Sequence, residues 1–223
     1  GSHSLTPNID RIASVTQFTH CYTSNPICTP ARTSLITGRY SRQIGALTMS
    51  VDLFPQIPTF MQALQQVGYE TYGIGKFHYL QSFPWTTARG CGIDLVANAE
   101  QTKSFGYDHI WETAGKQMMN TSYCFYAKYL EEKGLLEQVR DFESECGGTN
   151  GDTPDHNWDQ ALPWPFAAED YVDAVTGRKA CEQILHHDPS LPMYLFVSFC
   201  GPHKPYDAPQ EYLDLIPPEN NWD

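Results

Sequence analysis

Residues 59–78 read TFMQALQQVGYETYGIGKFH, and the change of pattern at Gly68 decides the fold class. Up to Val67 the spacing is helical. Thr59 stands where an N-cap belongs, and Phe60, Leu64 and Val67 recur at intervals of three and four, predicting a helix over 59–67 with those three on its buried side. Gly68 ends it. Residues 69–74 then predict a short strand, which runs into Gly75, Lys76, Phe77 and His78. Helix, glycine and strand in this order make the second half of an α/β unit.

The same grammar recurs on either side. Residues 169–187 predict a long amphipathic helix feeding an apolar strand, 193–199, which stops at Gly201-Pro202-His203-Lys204-Pro205. Near the start, Thr6 and Pro7 followed by Ile9, Ile12 and Ala13 predict a helix with proline at its first position. Residues 18–27 read as extended chain leading to Cys28. Thr29 then takes the N-cap place, Pro30 the first helical place, and the helix runs from Ala31 to Thr37 before Gly38. Cys28 is thereby expected one residue ahead of a helix N-terminus, where free N–H groups and the helix dipole favour an anion. Residues 122–133 predict a helix closed by Gly134, and 146–165, rich in Gly, Pro, Asp, Asn and Trp, a long surface excursion. The alternation predicts an α/β fold: a largely parallel sheet with helices on both faces.

Composition narrows the partners. Lys and Arg number 14 against 26 Asp and Glu in 223 residues, and the net charge of −12 repels a phosphate backbone, so no nucleic-acid partner is expected. No apolar run approaches the roughly 18 residues that span a bilayer, so no membrane partner is expected either. The seven cysteines are scattered without a CxxC, which excludes a zinc ribbon and a dithiol redox motif and favours free thiols over a disulfide framework.

Three polar clusters fall at strand ends or helix starts: Cys28 with Arg32, Lys76 with His78, and His203 with Lys204. In doubly wound sheets, ligands bind outside the carboxyl ends of the strands. Arg32 lies about one helical turn beyond Cys28, so its guanidinium can fold back toward the helix mouth. Lys76 and His78, two apart in extended chain, point to one side. Singly, each residue has an ordinary structural explanation. Together they describe a site for a small, compact oxyanion around one thiol.

At these residues the chain resembles a known family. CTPAR at 28–32 fits the CxPxR signature of the type I, formylglycine-dependent sulfatases of the alkaline phosphatase superfamily, and TSLITGRY at 33–40 is similar to its usual extension. TPNIDRI at 6–12, Pro58-Thr59-Phe60 with Leu64, Gly68 and Tyr69, GKFH at 75–78, and SFCGPHKP at 198–205 follow in the family's order. The resemblance covers about residues 5–210. It implies an alkaline-phosphatase-like, largely parallel (mixed) sheet sandwiched by helices, and a sulfatase that hydrolyses a sulfate ester of a carbohydrate or small alcohol.

The resemblance also implies roles. A maturation enzyme oxidises Cys28 to formylglycine, whose hydrated aldehyde attacks sulfur and later expels sulfate by internal elimination. That collapse is easier than hydrolysing a stable ester. Arg32 would hold the diol near the metal, and Lys76 would bind a sulfate oxygen. His78 would serve as the base of elimination, and His203 would face the leaving oxygen as general acid or sulfate donor. Lys204 is a further candidate for substrate contact. The family's metal is usually calcium, for which Cys28, as formylglycine, is the one ligand assignable here. The Asp-Asp and Asp-Asn or Asp-His pairs that complete the site belong upstream of residue 1 and beyond residue 223. Residues 1–223 are thus expected to form a catalytic domain incomplete at both ends, lacking part of its sheet and inactive without the missing parts of its own domain. Asp10, in the first helix, reads as a surface residue and not a ligand.

Two alternatives stand beside this reading: a phosphonate or phosphodiester hydrolase of the same superfamily, and a non-catalytic sulfatase-like binding protein in which Cys28 stays a thiol. Trp111, Tyr123, Tyr126, Tyr129, Trp158 and Trp164 could stack on sugars, or pack a core. Asn120-Thr121-Ser122 is a glycosylation sequon by spelling only. Bacterial cytoplasm or periplasm is favoured over the lysosome.

Overall fold

The computed structural model describes residues 5–80, 89–146 and 162–216. In chain order these form α1 (Pro7–Ala13), α2 (Cys28–Thr37), α3 (Phe60–Gln66), β1 (Glu70–Lys76), α4 (Ala99–Lys103), β2 (His109–Thr113), α5 (Phe125–Glu132), α6 (Leu136–Glu145), α7 (Val172–His186), β3 (Met193–Ser198) and α8 (Gln210–Leu213). β1 is the central strand of a three-stranded sheet ordered β2-β1-β3. Both neighbours run parallel to it, Gly75 standing opposite Glu112 on one side and Ser198 on the other. The α/β expectation holds. The sheet is wholly parallel among the described residues, where the resemblance allowed a mixed one.

Two apolar cores follow from strand alternation. Ile110 and Phe196 flank Gly73 in one row and pack with Ile36, Met61, Phe77, Tyr79, Phe105 and Tyr107. The next residue of β2, Trp111, points to the opposite face and packs with Tyr126, Leu130, Val139 and Val175 of α5, α6 and α7. Helices thus cover both faces, as a parallel sheet requires. Gly73 makes room for one core: a Cβ there would lie 2.6 Å from Phe77 and 2.9 Å from Tyr107. Phe77 stacks on Tyr107 with ring centroids 5.3 Å apart.

Several expectations are corrected. α3 keeps Thr59 as its cap, closed by a capping box with Gln62, but it does not bury Phe60 and Val67, which are 40 % and 70 % exposed. Met61 is its buried residue, because the first turn rests on Gly106, where a Cβ would lie 2.5 Å from Gln62 N. α2 begins at Cys28 and not after Thr29. The Asn25 side chain accepts the Ile27 N–H at 2.9 Å, and Ile27 takes the N-cap place. Pro30 costs nothing at the third helical position, where no N–H has an intrahelical partner.

α5 starts at Phe125, three residues later than expected, and Gly134 follows it with φ 70°. α7 likewise starts at Val172, after a 3₁₀ turn. α4, β2 and α6 lie in stretches where periodicity singled out no element. Of the 146–165 excursion, residues 147–161, with Trp158, lie outside the described residues. Tyr126 and Trp164 are buried and Trp111, Tyr123 and Tyr129 pack against the same core, so these rings hold the fold together and are not open sugar platforms. Asn120 is buried and accepts a hydrogen bond from Arg89 at 3.1 Å, which excludes it as a glycan acceptor in this fold. Asp10 is exposed, as expected.

α1 buries none of its residues, and Val15, Phe18 and Tyr22 beyond it are 85 %, 80 % and 83 % exposed. The seven cysteines are unpaired. No helix among the described residues is long and apolar enough to cross a membrane.

Candidate active site

The carboxyl ends of β1 and β3 meet the N-terminus of α2, and glycine makes the meeting possible. Gly75 has φ 101°, and a Cβ there would fall 2.0 Å from the Ser198 carbonyl oxygen. Only a residue without a side chain brings these strand ends together and delivers Lys76 beside the end of β3. Gly115, with φ 89° just after β2, is the second such position: a Cβ would lie 3.2 Å from the Lys76 side chain. Lys76 extends along that bare backbone and is 4 % exposed.

Arg32 ties the three elements together. Its Nη1 donates to the Lys76 carbonyl at 2.7 Å and to Ser198 Oγ at 2.8 Å. Ser198 is a site residue that the sequence reading passed over, although it opens the SFCGPHKP motif. Asp173, at the start of α7, holds the turn after β3, its two oxygens accepting the N–H groups of Cys200 at 2.7 Å and Gly201 at 2.9 Å.

His78 is the one described residue other than glycine with a positive φ, 59°. The extended geometry from which Lys76 and His78 were expected to share a side therefore ends before His78. The two side chains still converge, because the backbone turns there, and such turns in non-glycine residues concentrate at functional sites. The His78 ring is buried, and neither nitrogen has a hydrogen-bond partner in the protein. Burial, then the charges of Lys76, Arg32 and His203, push its pKa well below the ordinary imidazole value. His78 is neutral.

Cys28 is half-buried at the first position of α2. A hydrogen bond from His203, with Lys76 and Arg32 adding to it, outweighs burial and lowers its thiol to about 7. His203 Nδ1 donates to the Lys204 carbonyl at 2.7 Å, which leaves Nε2 for Cys28. Burial lowers the Lys76 pKa, and the charge of Cys28 works against that loss. The structure therefore brings Cys28, Arg32, Lys76, His78 and His203 into one cluster. Lys204 enters through its carbonyl oxygen, its half-buried side chain beginning beside His203.

These residues do not make a calcium site by themselves, and the expectation placed the carboxylate ligands outside them. Among the described residues no group of three or more His, Cys, Asp or Glu is placed to hold a metal. The groups around Cys28 are guanidinium, ammonium and imidazole, whereas calcium takes about six to eight oxygens. What the cluster suits is an anion, met by two fixed cations, a helix N-terminus and two imidazoles.

Comparison with known proteins agrees. The family model described as Sulfatase matches residues 1–215. An arylsulfatase of Clostridium perfringens is 26 % identical over 220 residues, covering 96 % of this chain and 42 % of the relative. An N-acetylglucosamine-6-O-sulfatase of Bacteroides thetaiotaomicron is 38 % identical over 162 residues, covering 71 % of this chain and 28 % of the relative. The chain thus spans less than half the length of either. Among solved structures, Ps i-CgsB aligns with a TM-score of 0.61 at 21 % identity, over 98 % of this chain and 44 % of that one. The phosphonate monoester hydrolase of Agrobacterium radiobacter aligns with 0.61 at 16 %, over 96 % and 39 %. Both share the fold. With the signature cysteine, its cationic ring and the matching family model in one stretch of sequence, this chain belongs to the sulfatase family.

Proposed function

We propose that the whole protein hydrolyses a sulfate ester, with residue 28 as its nucleophile after the thiol has been oxidised to formylglycine by a maturation enzyme. The observation that carries this reading is the convergence of Arg32, Lys76, His78 and His203 with Cys28 from three separate stretches of chain. Formylglycine supplies a hydrated aldehyde, an oxygen nucleophile that can later release sulfate without hydrolysing a stable ester.

The chain's own residues supply the rest. Lys76, buried and short of counter-charge, gains most from an anion and so binds a sulfate oxygen, offsetting charge that builds as the ester bond breaks. Arg32, fixed by Lys76 O and Ser198 Oγ, holds its positive charge beside residue 28. A base must be neutral to accept a proton, and His78 is kept neutral with both nitrogens unengaged. His203, its Nδ1 proton held by Lys204 O, can protonate the leaving oxygen from Nε2 as the imidazolium and returns to the neutral Nδ1–H ring. Lys204 is a further candidate for contact with the substrate. A sulfate monoester carries one negative charge, which Arg32 and Lys76 can match without a further cation. The substrate class is a sulfated sugar or small alcohol, and the similarity to a sulfatase named for N-acetylglucosamine supports the sugar. The metal ligands come from parts of the domain outside these residues.

The test is kcat/KM of the full-length protein, co-expressed with a maturation enzyme, on an aryl sulfate, an aryl phosphate and an aryl phosphonate. Preference for the sulfate is expected. Preference for the phosphonate gives the protein to the other branch of the superfamily, and no turnover together with an unmodified Cys28 makes it a binding protein.

A further inference from the structure

A second buried polar cluster stands behind the first. Lys116, just after Gly115, is 4 % exposed and spends its ammonium on three acceptors: Tyr171 OH at 2.7 Å, the Pro205 carbonyl at 2.8 Å and Asp207 Oδ1 at 2.5 Å. Tyr171 OH in turn donates to Asp207 Oδ1 at 3.0 Å. Asp207 is 1 % exposed and Glu143 of α6, also buried, is 3 % exposed. Glu143 Oε2 and Asp207 Oδ2 have no hydrogen-bond partner in the protein. Burial, then the charge of Asp207, raises the Glu143 carboxyl well above the ordinary value.

A buried ion pair is a poor source of stability, since desolvation offsets most of its attraction, but it fixes geometry. What this one fixes is the segment after β3. Pro205 lies two residues beyond His203, and Lys204, between them, supplies the carbonyl that orients the His203 ring. On its other side Lys116 is bonded to Gly115, the residue against which the Lys76 side chain lies. We propose that Lys116 and Asp207 are positioning residues that set His203 against residue 28. The reaction assigned to His203 rests on the sulfatase reading; the placement of its ring does not.

The test uses the full-length protein in two forms. In the unmatured, metal-free form, the pH midpoint for iodoacetamide alkylation of Cys28 is followed by peptide mass spectrometry, with His203→Ala as reference. Lys116→Met is expected to raise that midpoint in the same direction as His203→Ala, with Lys116→Arg between it and wild type. In the matured form, kcat/KM is compared on an alkyl sulfate, which needs protonation of its leaving oxygen, and on a nitrophenyl sulfate, which does not. Lys116→Met and Asp207→Asn are expected to lose about 100-fold on the alkyl ester and less than about 10-fold on the aryl ester. Tyr171→Phe, which spares the ion pair, gives a smaller loss skewed the same way and serves if the others do not fold. An unchanged Cys28 midpoint where His203→Ala shifts it, or equal losses on both esters, overturns the proposal. Absence of turnover in the matured wild type overturns the sulfatase reading alone, because the alkylation arm still decides the positioning role.

Discussion

Cys28 carries a charge imbalance that is measurable before any maturation. A hydrogen bond from His203, with the charges of Lys76 and Arg32, pulls its thiol down to about 7, so thiolate predominates above that pH and is lost below it. The alkylation rate of the unmatured protein is expected to rise through pH 7 and level off above it. Lys76→Met is expected to move the midpoint up, toward the ordinary thiol value of about 8.5. A wild-type midpoint already at the ordinary value contradicts the cationic ring. Glu112 is the opposite case. It is fully buried beside Thr102, and burial raises its carboxyl to about 8. The folded protein holds this proton where the unfolded chain releases it, so stability falls as pH rises from about 4.5 to 8, by about 1.4 kcal/mol per pH unit for each such proton. Glu143 adds to the fall with the same sign. Glu112→Gln should flatten part of the slope in denaturant titrations across that window; an unchanged slope shows that Glu112 is ionised.

The elements were legible to different depths. Glycine stops were readable: Gly38, with φ 65°, and Gly134 end α2 and α5 as their positions in the sequence suggest. The ring around Cys28 was readable too, because its members sit in short motifs that carry their own spacing. β2 was not, since HIWET places a polar residue at each end and buries Glu112 and Thr113. Nor was the face of α3. Its four apolar residues fit two stripes, and Gly106, some 40 positions away in sequence, selects Met61. Lys116 was invisible for the same reason, its partners being supplied by other elements, and Ser198 stood in a quoted motif without a sign of its bond to Arg32. The α3 correction has a direct consequence. Met61→Ala is expected to cost about 2–5 kcal/mol of unfolding free energy, while Val67→Ala stays within about 0.5. The reverse order in urea melts restores the original stripe.

At the scale of the molecule, the described residues form three strands with both faces covered, yet leave Ile9, Ile12, Val15, Phe18 and Tyr22 in solvent. Five large apolar side chains exposed within one short stretch of chain are more than scattered single exposures, which need no explanation. We predict that residues 1–223, prepared alone, bind a hydrophobic dye strongly and that the full-length protein does not; equally weak fluorescence from both would show the surface to be tolerated as it is. The cationic ring is built from these residues, whereas no group of three or more His, Cys, Asp or Glu among the described residues is placed to hold a metal. Hydrolysis of a sulfate ester by the matured full-length protein, beside its Cys28→Ala variant, tests the role of residue 28 most directly. Turnover that falls by about 1,000-fold or more in the variant is the predicted result. Equal turnover from both, or none from a wild type whose residue 28 has been verified as the aldehyde, contradicts it.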